Sequence, residues 1–225
     1  AGHLRMVAGN GGCAADSLPQ NVPAIGTAVY PRAVLSHEDG RVLIAEPAAV
    51  REVGLDGAIV RVAGTGNWGT STSNCAASPA GEALDIGLCG LSDLAWLKNG
   101  DLLIADDGNN RLLRLDLHGV LTHVAGGGDV GFYGERWGSD EKSLANAALI
   151  SDPRSIAVQP DGDILFWTAA TGEIDGPFSN KQGIRKLAPN LPRTKIGEYL
   201  YPDIDGGAIW VFDAEGRHLR TVGQA

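Results

Sequence analysis

A repeated sequence unit constrains the fold of this chain more than any other feature. The tripeptide Val-Ala-Gly begins at Val7, Val62 and Val124, so its copies are 55 and 62 residues apart. Glycine-led apolar segments keep a similar spacing, and they run from Gly40 to Glu46, Gly100 to Asp106, Gly162 to Thr168 and Gly207 to Asp213. Self-similarity at a long period is typical of architectures built from repeated structural units.

The repeated unit has the pattern of a four-stranded antiparallel meander. Asp-Gly or Asn-Gly pairs, which favour tight hairpin turns, begin at Asp39, Asn99 and Asp161. Third strands are predicted at Val50–Leu55, Arg111–Asp116, Ile184–Ala188 and His218–Val222, and fourth strands at Ala58–Ala63 and Val120–Ala125. The sequence therefore predicts an all-β chain, and tandem meanders indicate a β-propeller with four-stranded blades.

The two ends of the chain leave two arrangements open. His3–Ala8 is predicted to be a lone fourth strand with no blade before it, and the last unit has three strands without a fourth. The two ends could pair and close a ring of four blades. The pattern favours the other arrangement, a partial propeller, because Pro192–Gly197 is a poor fourth strand for the third unit.

The second unit, from Gly100 to Gly126, resembles an NHL repeat. It has a glycine, an aliphatic strand ending in Ala-Asp, then Asn-x-Arg and another aliphatic strand. The segment from Asp205 to Val222 resembles the stretch that joins an NHL propeller to the YD-repeat shell in Rhs and teneurin-like proteins. This resemblance implies one NHL-type propeller over residues 1–225, with 198–225 as a transition segment. It also implies a larger parent protein that is secreted or on the cell surface.

The charge of the chain restricts the classes of partner that it can bind, and its cysteines indicate a disulfide. The chain has a formal net charge of −9, which argues against binding to nucleic acid, and no apolar run is long enough for insertion into a membrane. Cys75 and Cys89 lie 14 residues apart at either side of one long connection, and a disulfide is predicted between them. The alternative is that both are buried free thiols.

The motifs that carry chemistry in other proteins are absent or incomplete. Glycine-rich segments at Gly64 and Gly126 fit G-x-G-x-x-G, but no amphipathic helix follows them, so no nucleotide or other cofactor is predicted. The five histidines have no metal-ligand spacing, and no metal site is predicted. Four polar residues between two predicted strands are interpreted as a structural turn. They are Asp106, Asn109, Asn110 and Arg111.

The long connections between units are the predicted binding surface. Ordinary connections have a median length of about 4–6 residues, and longer ones often carry function. Aromatic and arginine side chains, which are favoured anchors of protein interfaces, occur in two of these connections, at Trp68, Phe132, Tyr133, Arg136 and Trp137. The alternative is that these side chains cover the propeller itself.

Together these observations predict a non-enzymatic propeller that serves as a scaffold or binding module. Its expected partner is a protein, a glycan or the remainder of the parent chain. The alternative function is a propeller enzyme of the lyase or lactonase type with a metal ion in its central channel. That alternative requires inward-facing histidines and carboxylates from at least three blades.

Overall fold

Antiparallel strands form four sheets in the order in which they occur along the chain. The computed structural model describes residues 2–12, 18–67, 80–126, 145, 148, 150–169, 182–187, 199–202, 208–212 and 217–223. The chain divides into two compact units, Ala1–Leu187 and Ala188–Ala225. The first unit contains three of the sheets and the second contains one.

The first two sheets are four-stranded meanders with one short additional strand each. The first contains β1 (Val22–Pro23), β2 (Ala33–Ser36), β3 (Val42–Glu46), β4 (Ala49–Val53) and β5 (Ala58–Ala63), in the order β1-β5-β4-β3-β2. The second contains β6 (Gly81–Glu82), β7 (Leu91–Trp96), β8 (Leu102–Asp106), β9 (Arg111–Leu115) and β10 (Val120–Gly126), in the order β6-β10-β9-β8-β7.

The other two sheets have three described strands each. The third sheet contains β11 (Pro153–Val158), β12 (Ile164–Ala169) and β13 (Gln182–Leu187). The sheet of the second unit contains β14 (Tyr199–Pro202), β15 (Ala208–Phe212) and β16 (His218–Gly223). The strands β12, β13, β15 and β16 overlap the segments that the repeat predicts. No helix in the described part of the chain is long and apolar enough to cross a membrane.

Two hydrophobic clusters hold the three sheets of the first unit together. Side chains alternate along β8, and all five of its residues are buried because both faces of the strand are covered. Leu102 and Ile104 pack with residues of the first sheet, whereas Leu103 and Ala105 pack toward the third sheet and Phe166. Each leucine or isoleucine side chain among them contributes about 1.5–3 kcal/mol when fully buried.

The first strands of these sheets are neighbours, as expected for the inner edges of propeller blades. The indole nitrogen of Trp96 in β7 donates a hydrogen bond to the carbonyl of Ser36 in β2, at 2.9 Å. On its other side β7 is joined to β11, because Asp93 Oδ2 accepts the backbone N–H of Ile156 at 2.8 Å. Three meanders with adjacent inner edges are the arrangement of a β-propeller.

The glycine of the Val-Ala-Gly repeat is required where one blade leads into the next. Gly64 and Gly126 have φ angles of +84° and +86°. A Cβ atom at Gly64 would lie 2.9 Å from Ala49 Cα and closer still to the carbonyl oxygen of Ala48. The repeat is therefore explained by a positive φ and a close approach of two backbones.

The prediction of a strand at His3–Ala8 is wrong. These residues form no strand, and Gly9 makes an isolated parallel bridge with Ile25. The outer edge of β5, the fourth strand of the first blade, pairs with β1, a two-residue strand from the connection that precedes this blade. In the second blade, β6 pairs in the same way with β10.

Candidate functional site

The polar group predicted in the second blade lies where β8 ends. Arg111 Nε lies 2.7 Å from Asp106 Oδ2, and both side chains are buried. Asn109 Nδ2 donates to the same oxygen at 2.8 Å, and the backbone N–H of Cys89 donates to Asp106 Oδ1 at 2.8 Å. The αL conformation of Asn110, with φ of +54°, closes the turn.

These contacts attach the second blade to the connection that leads into it. Arg111 Nη2 also donates to the carbonyl of Gly87, at 3.0 Å, so acid and guanidinium both bind backbone of residues 87–89. Burial raises the pKa of the Asp106 carboxyl, while Arg111 and the hydrogen bonds from Asn109 and Cys89 act in the opposite direction.

An equivalent ion pair in the first blade was missed by the sequence analysis. Arg51 Nη1 lies 3.4 Å from Glu46 Oε2, and both side chains are buried. Glu46 Oε1 accepts the backbone N–H of Tyr30 at 2.7 Å, as Asp106 accepts that of Cys89. The repeat could have predicted this ion pair, because Glu46 and Asp106 end equivalent strands of the two units.

The third blade lacks this ion pair. Thr168 occupies the position of the acid and pairs with Gly183 of β13, where β9 has its arginine. The Thr168 hydroxyl is buried and has no hydrogen-bond partner in the part of the chain that the structure describes. The ion pair is therefore a feature of the first two blades, not of every repeat.

A second acidic group lies at the junction of the second and third blades. Burial and the neighbouring Asp152 carboxylate raise the pKa of Asp107 to about 6, although Arg154 acts in the opposite direction. Asp152 itself has a positive φ of +43°, and its backbone N–H donates to Asn110 Oδ1 at 2.9 Å. A carboxyl with this pKa can take up or release a proton close to neutral pH.

An open groove of about 650 Å³ lies between the first and second blades. Its lining combines an indole with charged side chains from both blades and from the connection between them, and it includes Arg41, Glu52, Glu82, Asp85, Trp96 and Asp116. The rings of His37 and Trp96 meet in an edge-to-face arrangement, with their centroids 5.0 Å apart. We call this cavity the inter-blade groove.

Several predicted site residues lie outside the described residues. They are Trp68, Phe132, Tyr133, Arg136 and Trp137, together with Cys75. Cys89 is described and is disulfide-bonded. Because Cys13 and Cys75 both lie outside the described part of the chain, the pairing of Cys89 with Cys75 stays a prediction.

The described residues do not fit a metal ion. Among them, no group of three or more histidine, cysteine, aspartate or glutamate side chains could hold one. A metal of the kind implied by the lyase or lactonase alternative needs several such ligands directed at one point. No chemical step is therefore assigned to a metal.

Comparisons with known proteins show no family for this chain. No family model and no curated protein matches the sequence. Virginiamycin B lyase from Staphylococcus aureus is similar, with 15% identity and a TM-score of 0.37 over 84% of this chain and 54% of that chain. A gluconolactonase from Xanthomonas campestris has 13% identity and a TM-score of 0.46 over 85% of this chain and 61% of that chain.

The chain has a β-propeller fold, because its antiparallel meanders follow one another and the first strands of neighbouring sheets adjoin. An auxiliary nutrient binding protein from Bacteroides ovatus is also similar, with 16% identity and a TM-score of 0.42 over 59% of this chain and 33% of that chain. The chain spans little more than half the length of the two enzymes that it matches.

The prediction that the chain is not an enzyme is corrected by these comparisons. Two of the solved structures similar to it are enzymes, a lyase and a gluconolactonase. The prediction relied on the absence of complete nucleotide-binding and metal-binding motifs, but a site can be assembled from residues of different blades that are distant in sequence. The chain is therefore not assigned to a non-enzymatic class.

Proposed function

We propose that this chain is a ligand-binding β-propeller of the NHL type and that it holds its partner in the inter-blade groove. We further propose that it belongs to a larger secreted or cell-surface protein of the YD/Rhs class. The NHL-like segment from Gly100 to Gly126 supports the type of propeller. The disulfide bond of Cys89 supports an oxidising compartment outside the cytosol.

The observation that carries the proposal is the composition of the inter-blade groove. A concave surface that places an aromatic ring beside several charged groups can bind a ligand by contact area and by hydrogen bonds together. Trp96 is held in one orientation by its hydrogen bond to Ser36 and by its contact with the His37 ring. A fixed ring loses little conformational entropy when a ligand packs against it.

The proposed partner is a segment of a protein, and a glycan is the competing candidate. Most polar side chains of the groove are acidic or basic, including Arg41, Glu52 and Asp116. Charged side chains of a peptide match such groups more directly than the hydroxyl groups of a neutral sugar do. The two candidates are separated by experiment.

Isothermal titration calorimetry on the full chain tests the proposal. The probes are three acetylated octapeptides, of lysine, glutamate or serine, and two oligosaccharides, cellohexaose and chitohexaose. We expect at least one probe to bind, and to bind more weakly to Trp96→Ala than to Trp210→Ala, a matched change of an exposed tryptophan outside the groove. Absence of binding by all five probes would refute the proposed function.

A second contact surface is proposed on the long connections. Trp68 and the segment containing Phe132, Tyr133, Arg136 and Trp137 carry the aromatic and arginine side chains expected at an interface. If this surface binds the partner or the rest of the parent chain, changing the three aromatic residues of that segment to serine removes association and leaves the melting temperature nearly unchanged. A large fall in melting temperature would place these rings in the core.

A second candidate function is catalysis at Asp107 and Asp152. The observation that favours it is the pKa of Asp107, which lies in the range of a general acid or base. Hydrolysis of glucono-δ-lactone by the full chain and by Asp107→Asn tests a lactonase activity. A rate above that of buffer, lost in the variant, supports the candidate, and a rate equal to that of buffer rejects it.

A further inference from the structure

The inter-blade groove carries an excess of negative charge. Four carboxylates line it, at Glu52, Glu82, Asp85 and Asp116, against the two guanidinium groups of Arg41 and Arg61. Hydrogen bonds from the backbone N–H groups of Val120 and His118 lower the pKa of Asp116, so this carboxylate stays ionised well below neutral pH. The groove therefore attracts cations and repels anions.

Both guanidinium groups of the groove already have partners. Arg41 Nη1 lies 2.9 Å from Glu52 Oε2, and Arg41 Nε lies 2.8 Å from Asp39 Oδ2. Arg61 donates to the backbone carbonyls of Gly64 and Leu84. An anionic ligand would have to displace these contacts before it could use either arginine, which disfavours acidic peptides and phosphate groups.

The carboxylates of the connection between the blades are free to accept a ligand. Glu82 and Asp85 are exposed, and neither forms an ion pair in the part of the chain that the structure describes. They lie within one turn, because the backbone N–H of Asp85 donates to the carbonyl of Glu82 at 3.0 Å. Two carboxylates on one turn that line the same groove can accept hydrogen bonds from one ammonium or guanidinium group.

The remaining surface of the groove suits a long side chain that ends in a cation. The indole nitrogen of Trp96 is occupied by Ser36, so a ligand meets the carbon surface of the ring, whose face attracts cations. Leu84 and Leu117 lie at the groove with exposed fractions of 45% and 78%. Such apolar groups can cover the methylene stem of a lysine or an arginine.

Resting on the proposed function, we infer that the protein segment held in the inter-blade groove is basic and places a lysine or arginine side chain between Trp96 and the carboxylates of Glu82 and Asp85. Specificity then comes from charge and from the aromatic face together. Neutral glycans and acidic peptides lack the cation that both features require.

The same titration, extended to low and physiological salt, tests this inference. Octalysine is expected to bind, octaglutamate is not, and the affinity should fall between about 0.01 M and about 0.15 M salt, because the Debye length shrinks from about 30 Å to about 8 Å. In the double variant Glu82→Gln, Asp85→Asn, the dissociation constant for octalysine should rise about tenfold or more.

Asp161→Asn is the matched control, because Asp161 is an exposed acid of the third blade outside the groove. Its dissociation constant for octalysine should equal that of the unmodified chain. An equal loss of affinity for octalysine in the control and in the double variant would show that octalysine responds only to the net charge of the protein, and the inference would be wrong. Binding of an oligosaccharide or octaserine without octalysine would keep the proposed function and reject the basic ligand, whereas no binding at all rejects both.

Discussion

Replacing a glycine of the Val-Ala-Gly repeat measures how much the close contact between blades contributes to stability. Gly64 and Gly57 both have positive φ, at +84° and +79°, so alanine is strained in the same backbone region at each. They differ in their surroundings. A Cβ atom at Gly57 meets nothing within 4 Å, whereas one at Gly64 lies 2.9 Å from both Ala49 Cα and Leu88 Cδ1.

The two variants should therefore differ by the cost of the steric overlap alone. A left-handed conformation costs an L-residue about 1–2 kcal/mol, partly offset because alanine has less freedom than glycine in the unfolded chain. Overpacking a close contact adds about 1–3 kcal/mol. We expect Gly57→Ala to lower the free energy of unfolding by about 1 kcal/mol and Gly64→Ala by about 3 kcal/mol.

Urea unfolding followed by circular dichroism provides the measurement. At this chain length, 1 kcal/mol corresponds to about 2–4 °C in melting temperature, so thermal unfolding should rank the variants in the same order. Gly126 and Gly119 of the second blade form an independent pair, because a Cβ atom would overlap Asn110 and Ile150 at Gly126 and meets nothing within 4 Å at Gly119. If the two alanine variants of each pair lost the same free energy of unfolding to within about 0.5 kcal/mol, the steric reasoning would be refuted.

Three further changes test the ion pair, the acidic group and the disulfide. Asp106→Ala removes the carboxylate that faces the buried Arg111 and should lower the free energy of unfolding by about 3–5 kcal/mol in urea melts, whereas Asp39→Ala at the surface should change it far less. Because the folded-state pKa of Asp107 is raised from 3.8 to about 6, its ionisation opposes folding as the pH rises through this range. Urea unfolding at pH 4 and pH 7 should therefore show that Asp107→Asn is more stable than the unmodified chain at pH 7 only, by on the order of 1 kcal/mol after solvent screening. An equal gain in the free energy of unfolding at both pH values would contradict this prediction. Peptide mapping without reductant should find Cys89 linked to Cys75, and a different partner would overturn that pairing.

The sequence by itself determined the strands and turns, because their signals are local. The alternation of side chains along a strand, and the glycine that permits a positive φ in a turn, are both visible within a few consecutive residues. The strand Leu102–Asp106 and its turn at Gly100 were predicted in this way. The pairing of Arg111 with Asp106 was also within reach, since the two residues face each other across one hairpin.

Tertiary structure decided which strands meet and which side chains share a surface. The segment His3–Ala8 has the apolar content of a strand, but it pairs with no described strand, whereas Val22–Pro23 pairs with the outer edge of β5. Val22–Pro23 is too short to be recognised as a strand without that edge. An edge strand depends on a partner that local sequence does not contain.

The inter-blade groove is also a product of packing between blades. Trp96, Glu82 and Arg41 come from separate segments, and they share a surface only after two meanders have packed against each other. Each looks like an ordinary strand or turn residue in the sequence, because nothing local indicates which faces of two sheets will adjoin. The repeat could therefore predict a propeller, whereas the contact between its blades determined where a ligand can bind.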